Sequence, residues 1–421
     1  MSMMTTGSRL SLAAGVLAAA SALQAQGTAA GPSPAERRIE RARKSIEKAP
    51  AASPGYAELA LALARRARET SDPAFYTLAE EAIAKALELA PDDLEALKAR
   101  AWVLLGQHRF AEAREVATRL NRRIPDDLMV YGLLTDANVE LGDYAQAEKA
   151  CQWMLDLRPG NVPALTRAAY LRELFGDTDG ALELMVMALD GTPPDEDEDR
   201  AWILTQMAHL RLVGGRADEA EKLLGQALVL FPEYHYALAQ LAKARAAQGR
   251  PAEAADLLRR RYEAAPHPEN HYDLAVALER AGRRKEAKAA FSEFERRALA
   301  EAGKPDNSNR ELIFYYADHA GRPAEALGVA RREIERRRDV HTLDAYAWAL
   351  YRSGRPADAQ KAMDEALGVG VREAGMLYHA GLIASKLEQR GKAAGYLRQS
   401  LQVNPVSEVG QAAREALKRI G

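Results

Sequence analysis

The sequence contains almost no cysteine, few aromatic residues and no strong excess of either charge. One cysteine among 421 residues cannot form an intramolecular disulfide, so stability must come from packing. There are 58 Lys and Arg against 60 Asp and Glu, which gives a formal charge of -2. A nucleic-acid-binding protein needs a basic surface to displace counterions, and this balance argues against a nucleic-acid partner.

Apolar residues make up 48 % of the chain, enough to bury a core, although only 6 % of the residues are aromatic. Ala, Leu, Arg and Glu dominate, whereas runs of β-branched residues are scarce. Because the dominant residues are strong helix formers, the composition predicts an all-α fold.

The N-terminus has the features of an export signal. Arg9 precedes an apolar stretch of 14 residues, Leu10 to Leu23, and small residues follow, with cleavage expected near Ala25. This stretch is too short to cross a bilayer, for which about 20 residues are needed. We therefore expect an exported protein, periplasmic or extracellular, with no transmembrane segment in the mature chain. Retention of the apolar stretch as an anchor is the alternative.

An alanine recurs through the chain at intervals of 33 or 34 residues, with two intervals of 39. The ten positions are Ala79, Ala113, Ala147, Ala181, Ala220, Ala254, Ala287, Ala326, Ala359 and Ala393. Five residues before the alanine stands a glycine in seven units, namely Gly142, Gly176, Gly215, Gly249, Gly282, Gly321 and Gly354. Twelve residues after it, a proline also occurs in seven units.

Each of the three series has a mechanical role in a helical repeat. Glycine ends a helix by adopting a left-handed conformation that other residues resist. Proline ends the next helix because it lacks the amide that the helix requires. The alanine lies between them, where a larger side chain would separate two packed backbones at a cost of about 1–3 kcal/mol.

The segment LGDYAQAEKACQWMLDLRPGN, Leu141 to Asn161, combines a glycine stop, Asp143 as a helix cap, an amphipathic helix and a proline stop. It resembles the tetratricopeptide repeat, and the resemblance extends over most of the chain. The resemblance implies an all-α fold, a right-handed α-α superhelix (a solenoid) of about ten helix-turn-helix repeats with terminal capping helices. Phe314 departs from the small residue expected in its first helix and suggests a loosened contact there.

The repeats predict the organisation of the chain. We expect a signal peptide at 1–25, a disordered lead-in and N-terminal capping helix at 26–52, repeats 1–4 at 53–200 ending in an acidic loop, repeats 5–7 and an insertion at 201–306, repeats 8–10 at 307–405, and a C-terminal capping helix at 406–421.

The sequence contains no catalytic motif, and we expect no enzyme activity, no cofactor and no metal. His267 and His271 have a spacing that suits metal ligands on one helix, but Pro268 begins that helix, so His267 should lie at or outside its cap. The acidic run Pro194 to Asp199 lacks the terminal glutamate of an EF-hand, which favours a solvated acidic loop. Cys151 occupies a core position and should be an inert buried thiol.

The resemblance also implies that the first helices line a concave groove. Projection of these helices places three of the four tryptophans inward, and exposed aromatic residues are typical of binding sites. The alternative is that several of them complete the packing between adjacent first helices. His379 should point away from the groove. The predicted ligand-binding residues are Trp102, Tyr170, Trp202, Tyr236, Tyr272, Tyr315, Asp344, Trp348, Tyr351, Arg352 and Tyr378.

These features together predict a non-catalytic interaction scaffold of the periplasm or cell envelope. It would bind a protein or an extended peptide through its concave face. The alternative is a carbohydrate-binding scaffold in envelope assembly or polysaccharide export, because aromatic faces stack on sugar rings. A glycan is therefore the second candidate ligand.

Overall fold

A computed structural model describes residues 31–420, so the predicted signal peptide lies outside the described residues. Across this range the structure contains 22 α-helices and one π-helical turn, with no strand, and the predicted all-α repeat fold is confirmed. The described residues form two compact units. Unit 1 comprises residues up to 134 together with 195–198, and unit 2 comprises 135–194 together with 199–420.

Unit 1 begins with the predicted capping helix. The side chain of Ser33 accepts a hydrogen bond from Glu36 N, and the Glu36 side chain accepts one from Ser33 N, so both ends of this capping box are satisfied. Its helices are α1 (Pro34–Lys48), α2 (Ser53–Thr70), α3 (Ala74–Leu89), α4 (Leu94–Gly106) and α5 (Phe110–Arg123), followed by α6 (Leu128–Glu140), which starts in unit 1 and ends in unit 2.

Unit 2 continues the alternation of first and second helices and ends with the predicted C-terminal capping helix. Its helices are α7 (Tyr144–Leu157), α8 (Val162–Leu174), α9 (Thr178–Gly191), α10 (Asp197–Val213), α11 (Ala217–Leu230), α12 (His235–Ala247), α13 (Pro251–Ala264), α14 (Pro268–Arg280), α15 (Arg284–Glu301), α16 (Asn309–Phe314), α17 (Pro323–Arg336), α18 (Val340–Arg352), α19 (Pro356–Gly368), α20 (Ala374–Lys386), α21 (Arg390–Val403) and α22 (Glu408–Ile420), of which α10 begins with the last two residues of the 195–198 segment.

The alanine and glycine series have the structural roles that the sequence predicts. Each of the ten alanines lies in a second helix, and none is more than 3 % exposed. All seven glycines have positive φ, between 64° and 83°. The small alanine side chains therefore set the distance between packed helices, and the left-handed glycines end the first helices.

The repeat that contains Phe314 is irregular. Helix α16 ends at Phe314, and a π-helical turn, Tyr315–His319, follows it. Ala320 N donates to Tyr315 O at 2.9 Å, which closes the wider turn. The departure from the small-residue series thus coincides with the one interruption of a regular first helix in the described chain.

The expectation of a solvated acidic loop is wrong for Glu196 and Glu198, which are ion-paired within unit 1. Glu198 is fully buried and pairs with Arg68. Glu196 accepts from Arg38 at 2.7 Å and from Arg65 at 2.9 Å. Because these arginines are 130 or more residues away in sequence, the local pattern of alternating acids gave no sign of the pairing.

Cys151 is buried in unit 2, as predicted. Its Sγ lies 3.6 Å from Ala164 O, and burial raises the pKa of the thiol to about 11. Since the thiolate is the reactive form, this residue is an inert core thiol at neutral pH.

Candidate functional site

Unit 2 closes on itself along a seam between its early and late repeats. Arg338 N donates to Glu140 O at 3.0 Å, and Val340 N donates to Tyr144 Oη at 2.9 Å. The latter pair is 196 residues apart in sequence. In an ordinary solenoid each repeat contacts only its neighbours, so these bonds are additional to the repeat packing.

The same seam continues along the following repeats. A hydrophobic cluster joins Val139 and Leu171 to Leu343 and Met376. Further on, the Asn404 side-chain amide donates to Leu212 O at 2.9 Å. The α6–α10 part of unit 2 therefore packs against its α17–α22 part through apolar contacts and hydrogen bonds.

Two of the helix-ending glycines have a second role at the seam. A Cβ on Gly142 would lie 2.6 Å from Arg338 O, and a Cβ on Gly176 would lie 2.7 Å from Gly370 O. Any side chain would push these backbones apart. The sequence identified both residues as helix stops but gave no signal for the close approach, because the partners are distant in sequence.

Charged side chains cluster beside the seam. Arg337 Nη1 lies 3.4 Å from Glu140 Oε2, and Arg310 Nη1 lies 3.7 Å from Asp339 Oδ1. Burial and the nearby Asp339 carboxylate raise the pKa of Glu140. Burial would also raise the pKa of Asp339, but Arg310 and Arg337 outweigh it and lower that pKa. The cluster thus combines closely spaced charges of both signs.

Tyr170 is the most accessible of the predicted aromatic residues and lies near this cluster. Its side chain is 37 % exposed, and its hydroxyl has no hydrogen-bond partner among residues 31–420. Burial, followed by the Glu140 and Asp339 carboxylates, nevertheless raises the pKa of its phenol well above the usual value. The ring is therefore accessible to water, although its hydroxyl lies close enough to the buried carboxylates to be affected by their charge.

Trp348 does not face water as the helix projection suggested. It is only 6 % exposed, and its Nε1 donates to both carboxylate oxygens of Asp318 at 3.0 Å. The ring of Tyr351 stacks on it at 5.1 Å and that of His379 at 4.2 Å. For this residue the structure supports packing between adjacent first helices, the alternative interpretation of the aromatic set.

His379 packs against the buried Trp348, and its direction relative to the groove stays a prediction. Besides stacking on Trp348, its Nδ1 lies 2.8 Å from Asp344 Oδ1. Burial would lower the pKa of His379, but the Asp344 carboxylate outweighs it and raises that pKa. Asp344 is itself buried, contrary to its expected exposure, because it forms this pair. Projection of single helices could not detect a contact between α18 and α20.

Tyr315 is also buried. Its ring lies 5.3 Å from Phe291 and 5.8 Å from Phe294, within the core. The expected exposure of Tyr315 is therefore wrong as well. Six of the predicted residues are half-buried, namely Trp102 in unit 1 and Trp202, Tyr236, Tyr272, Tyr351 and Tyr378 in unit 2. Arg352 is exposed and pairs with Asp318. Ligand binding by the predicted set stays a prediction.

Residues 31–420 contain neither a candidate metal-binding cluster nor a helix suited to span a membrane. There, no group of three or more His, Cys, Asp and Glu side chains could hold a metal ion. No helix in the same range has the length and apolar character needed to span a membrane. His267 is the N-cap residue of α14, as expected, and its side chain makes no capping hydrogen bond.

Comparison with known proteins identifies the repeats. The tetratricopeptide repeat family model matches residues 74–127, 205–267 and 345–408. No curated protein matches the chain significantly in sequence. Human IFIT1, solved as a dimer with m7Gppp-AAAA, is similar over 95 % of this chain and 96 % of its own, with 14 % identity and a TM-score of 0.51. At that identity, the similarity shows the fold alone.

Two shorter structures are also similar. TTC0263, a thermophilic TPR protein of Thermus thermophilus, is 26 % identical and has a TM-score of 0.39, with 45 % of this chain and 98 % of that chain covered. PilW, described as a widely conserved type IV pilus biogenesis factor, is 12 % identical with a TM-score of 0.42, and the match covers 48 % of this chain and 93 % of that chain.

Proposed function

Because the tetratricopeptide repeat family model matches three stretches of the chain, we propose that it is a non-catalytic scaffold of that family, which binds an extended segment of a partner protein along the inner face of unit 2. Repeats of this family suggest protein interaction in general. The observation that carries the more specific proposal is Tyr170, an accessible ring beside the charged cluster at the seam.

The seam favours an extended segment over a folded domain as the partner. Hydrogen bonds and apolar contacts join the early and late repeats of unit 2, which restricts access to its inner face. An extended chain passes through a narrower opening than a folded domain does. The unpaired Tyr170 hydroxyl and the Arg310 guanidinium, one-third exposed, would offer that chain hydrogen bonds.

A glycan is less well supported as the ligand. Sugar rings stack on exposed aromatic faces, and Trp348, one of the predicted aromatic residues, has almost no accessible surface. Enzyme activity is also not proposed, because repeat helices occupy residues 53–403 and leave no contiguous stretch for a catalytic domain.

Photo-crosslinking tests the location of the partner. We expect a photoreactive phenylalanine analogue at position 170 to capture a protein from cell-envelope extract, whereas the same analogue at Arg331, which is exposed on second helix α17, should capture none. Tyr170→Ala should also weaken recovery of that protein by unmodified affinity purification. Equal capture from both positions, or none from position 170, would refute binding at the inner face.

We further propose that the protein is exported to the periplasm or beyond the cell. The support is the sequence alone: Arg9, the 14-residue apolar stretch and Ala25 as the expected cleavage position. Mass spectrometry of the mature protein from its native cells should find an N-terminus close to Gln26. Recovery of the protein from the cytoplasmic fraction with an intact N-terminus would contradict the proposal.

A further inference from the structure

An open groove lies between second helices α9 and α11 and the first helix α10. Its volume is about 580 Å³, within the range of ligand-binding pockets. Its surface is mostly apolar, and its apolar lining residues include Leu189, Leu204, Val229 and Leu230. The groove is separate from Tyr170 and the charged cluster beside the seam. It lies where the alanine series has one of its two 39-residue intervals, between Ala181 and Ala220.

Val229 is an unusual residue for its place in the repeat. It is 81 % exposed, and it stands nine residues after the series alanine. No other second helix has a large apolar residue there. The residues at that place are Glu88, Arg122, Asp156, Asp190, Glu263, Arg296, Glu335, Gly368 and Gln402. An exposed valine beside an apolar groove thus extends the surface available to a ligand.

Gly225 keeps the groove open. It lies inside α11, where glycine weakens a helix relative to alanine, and it has an ordinary helical conformation. A Cβ at this position would meet no atom within 4 Å, so packing does not require glycine. The other nine second helices have a side chain at this place. Its absence here therefore leaves space that a ligand could occupy.

The charged residues of the groove are both cations. Arg200 donates to the carbonyl oxygens of Leu189 and Thr192, at 3.3 and 2.9 Å, and these neutral groups leave its charge uncompensated. Lys222 is exposed, and neither it nor Arg200 forms an ion pair with a carboxylate in the described part of the chain. The groove thus presents positive charge next to an apolar surface.

We infer that this groove is a second docking site, independent of the inner face, for a peptide segment in which a large apolar side chain is flanked by carboxylates. The apolar side chain would lie over Gly225 and against Leu204 and Val229. The carboxylates would approach Lys222 and Arg200, which gives the site its preference for acidic over basic segments.

Fluorescence anisotropy with the full chain tests this site. The probe is a short labelled peptide with a leucine–phenylalanine pair flanked by glutamates, and a matched peptide has lysines in place of the glutamates. We expect the acidic peptide to bind more tightly. Gly225→Leu should weaken its binding by at least about tenfold, because the new side chain fills the groove. Lys222→Glu should weaken it by about threefold.

The matched control is Gly395→Leu, since Gly395 also lies inside a second helix, α21, with no atom within 4 Å of a Cβ. This variant should bind the acidic peptide like the unmodified protein. Leucine favours a helix more than glycine does, so neither variant should melt at a lower temperature. If Gly225→Leu did not fold, the effect of Lys222→Glu on binding of the acidic peptide would still test the inference.

Three outcomes would overturn the inference: no binding of the acidic peptide, equal binding of the lysine peptide, or unchanged binding by both Gly225→Leu and Lys222→Glu. Crosslinking from position 170 is unaffected by any of them, so the proposal for the inner face is judged separately.

Discussion

Replacement of Trp348 by alanine is expected to lower the free energy of unfolding by about 3–5 kcal/mol, the range for a large aromatic side chain removed from a core. The indole is 6 % exposed and lies against the rings of Tyr351 and His379. Its removal would also leave the Asp318 carboxylate without the Nε1 donor. Urea denaturation followed by far-ultraviolet circular dichroism measures the change.

Tyr170→Ala is the matched control for that measurement, because Tyr170 is an aromatic residue of the same predicted set that remains 37 % exposed. We expect its unfolding free energy to change by less than about 1 kcal/mol. The two variants should therefore separate stability from binding. An unchanged unfolding midpoint for Trp348→Ala would show that the indole is not part of the core.

Gly142→Ala is expected to destabilise the protein substantially more than Gly282→Ala. Both glycines end first helices with nearly the same φ, 77° and 75°, so both substitutions carry the same left-handed backbone cost of about 1–2 kcal/mol. A Cβ at Gly282 meets nothing within 4 Å, whereas one at Gly142 would lie 2.6 Å from Arg338 O. In Gly142→Ala, the clash at the seam should therefore lower the free energy of unfolding by about a further 1–3 kcal/mol, the usual cost of overpacking.

Urea titration of both variants gives the difference between their free energies of unfolding. This difference separates the contribution of the seam from the cost of the left-handed backbone conformation. Hydrogen exchange gives a second readout. Opening of the seam by Gly142→Ala should reduce protection of the Arg338 and Val340 amides, which donate across it. Equal destabilisation by the two alanines, with both amides still protected, would mean that the seam contributes little to stability.

The parts of the fold that were predictable from sequence are those with a local cause. A buried alanine such as Ala147 and a left-handed glycine such as Gly215 act within one repeat, so their spacing reveals them. The seam could not be found in this way, because Tyr144 and Val340 are 196 residues apart and have no shared motif.

The candidate site was only partly predictable for a related reason. Helical projection gives the direction of a side chain on its own helix, but it does not give the neighbour that covers the side chain. Trp348, Asp344 and Tyr315 project inward and are nevertheless buried by residues of neighbouring helices. Tyr170, by contrast, remains 37 % exposed. Buried acids such as Glu198 escaped prediction because a run of acids on its own suggests only a solvated surface.

The seam also limits how the number of repeats can change. A solenoid whose repeats contact only their neighbours tolerates the gain or loss of one repeat, because the repeats that become neighbours have similar contact surfaces. In unit 2, deletion of a single repeat between Leu212 and Arg338 would shift every later residue relative to its seam partner by one repeat. Arg338 would no longer face Glu140, nor Asn404 face Leu212. Unit 2 therefore has a fixed repeat count between these points, and growth of the array by duplication is confined to its ends.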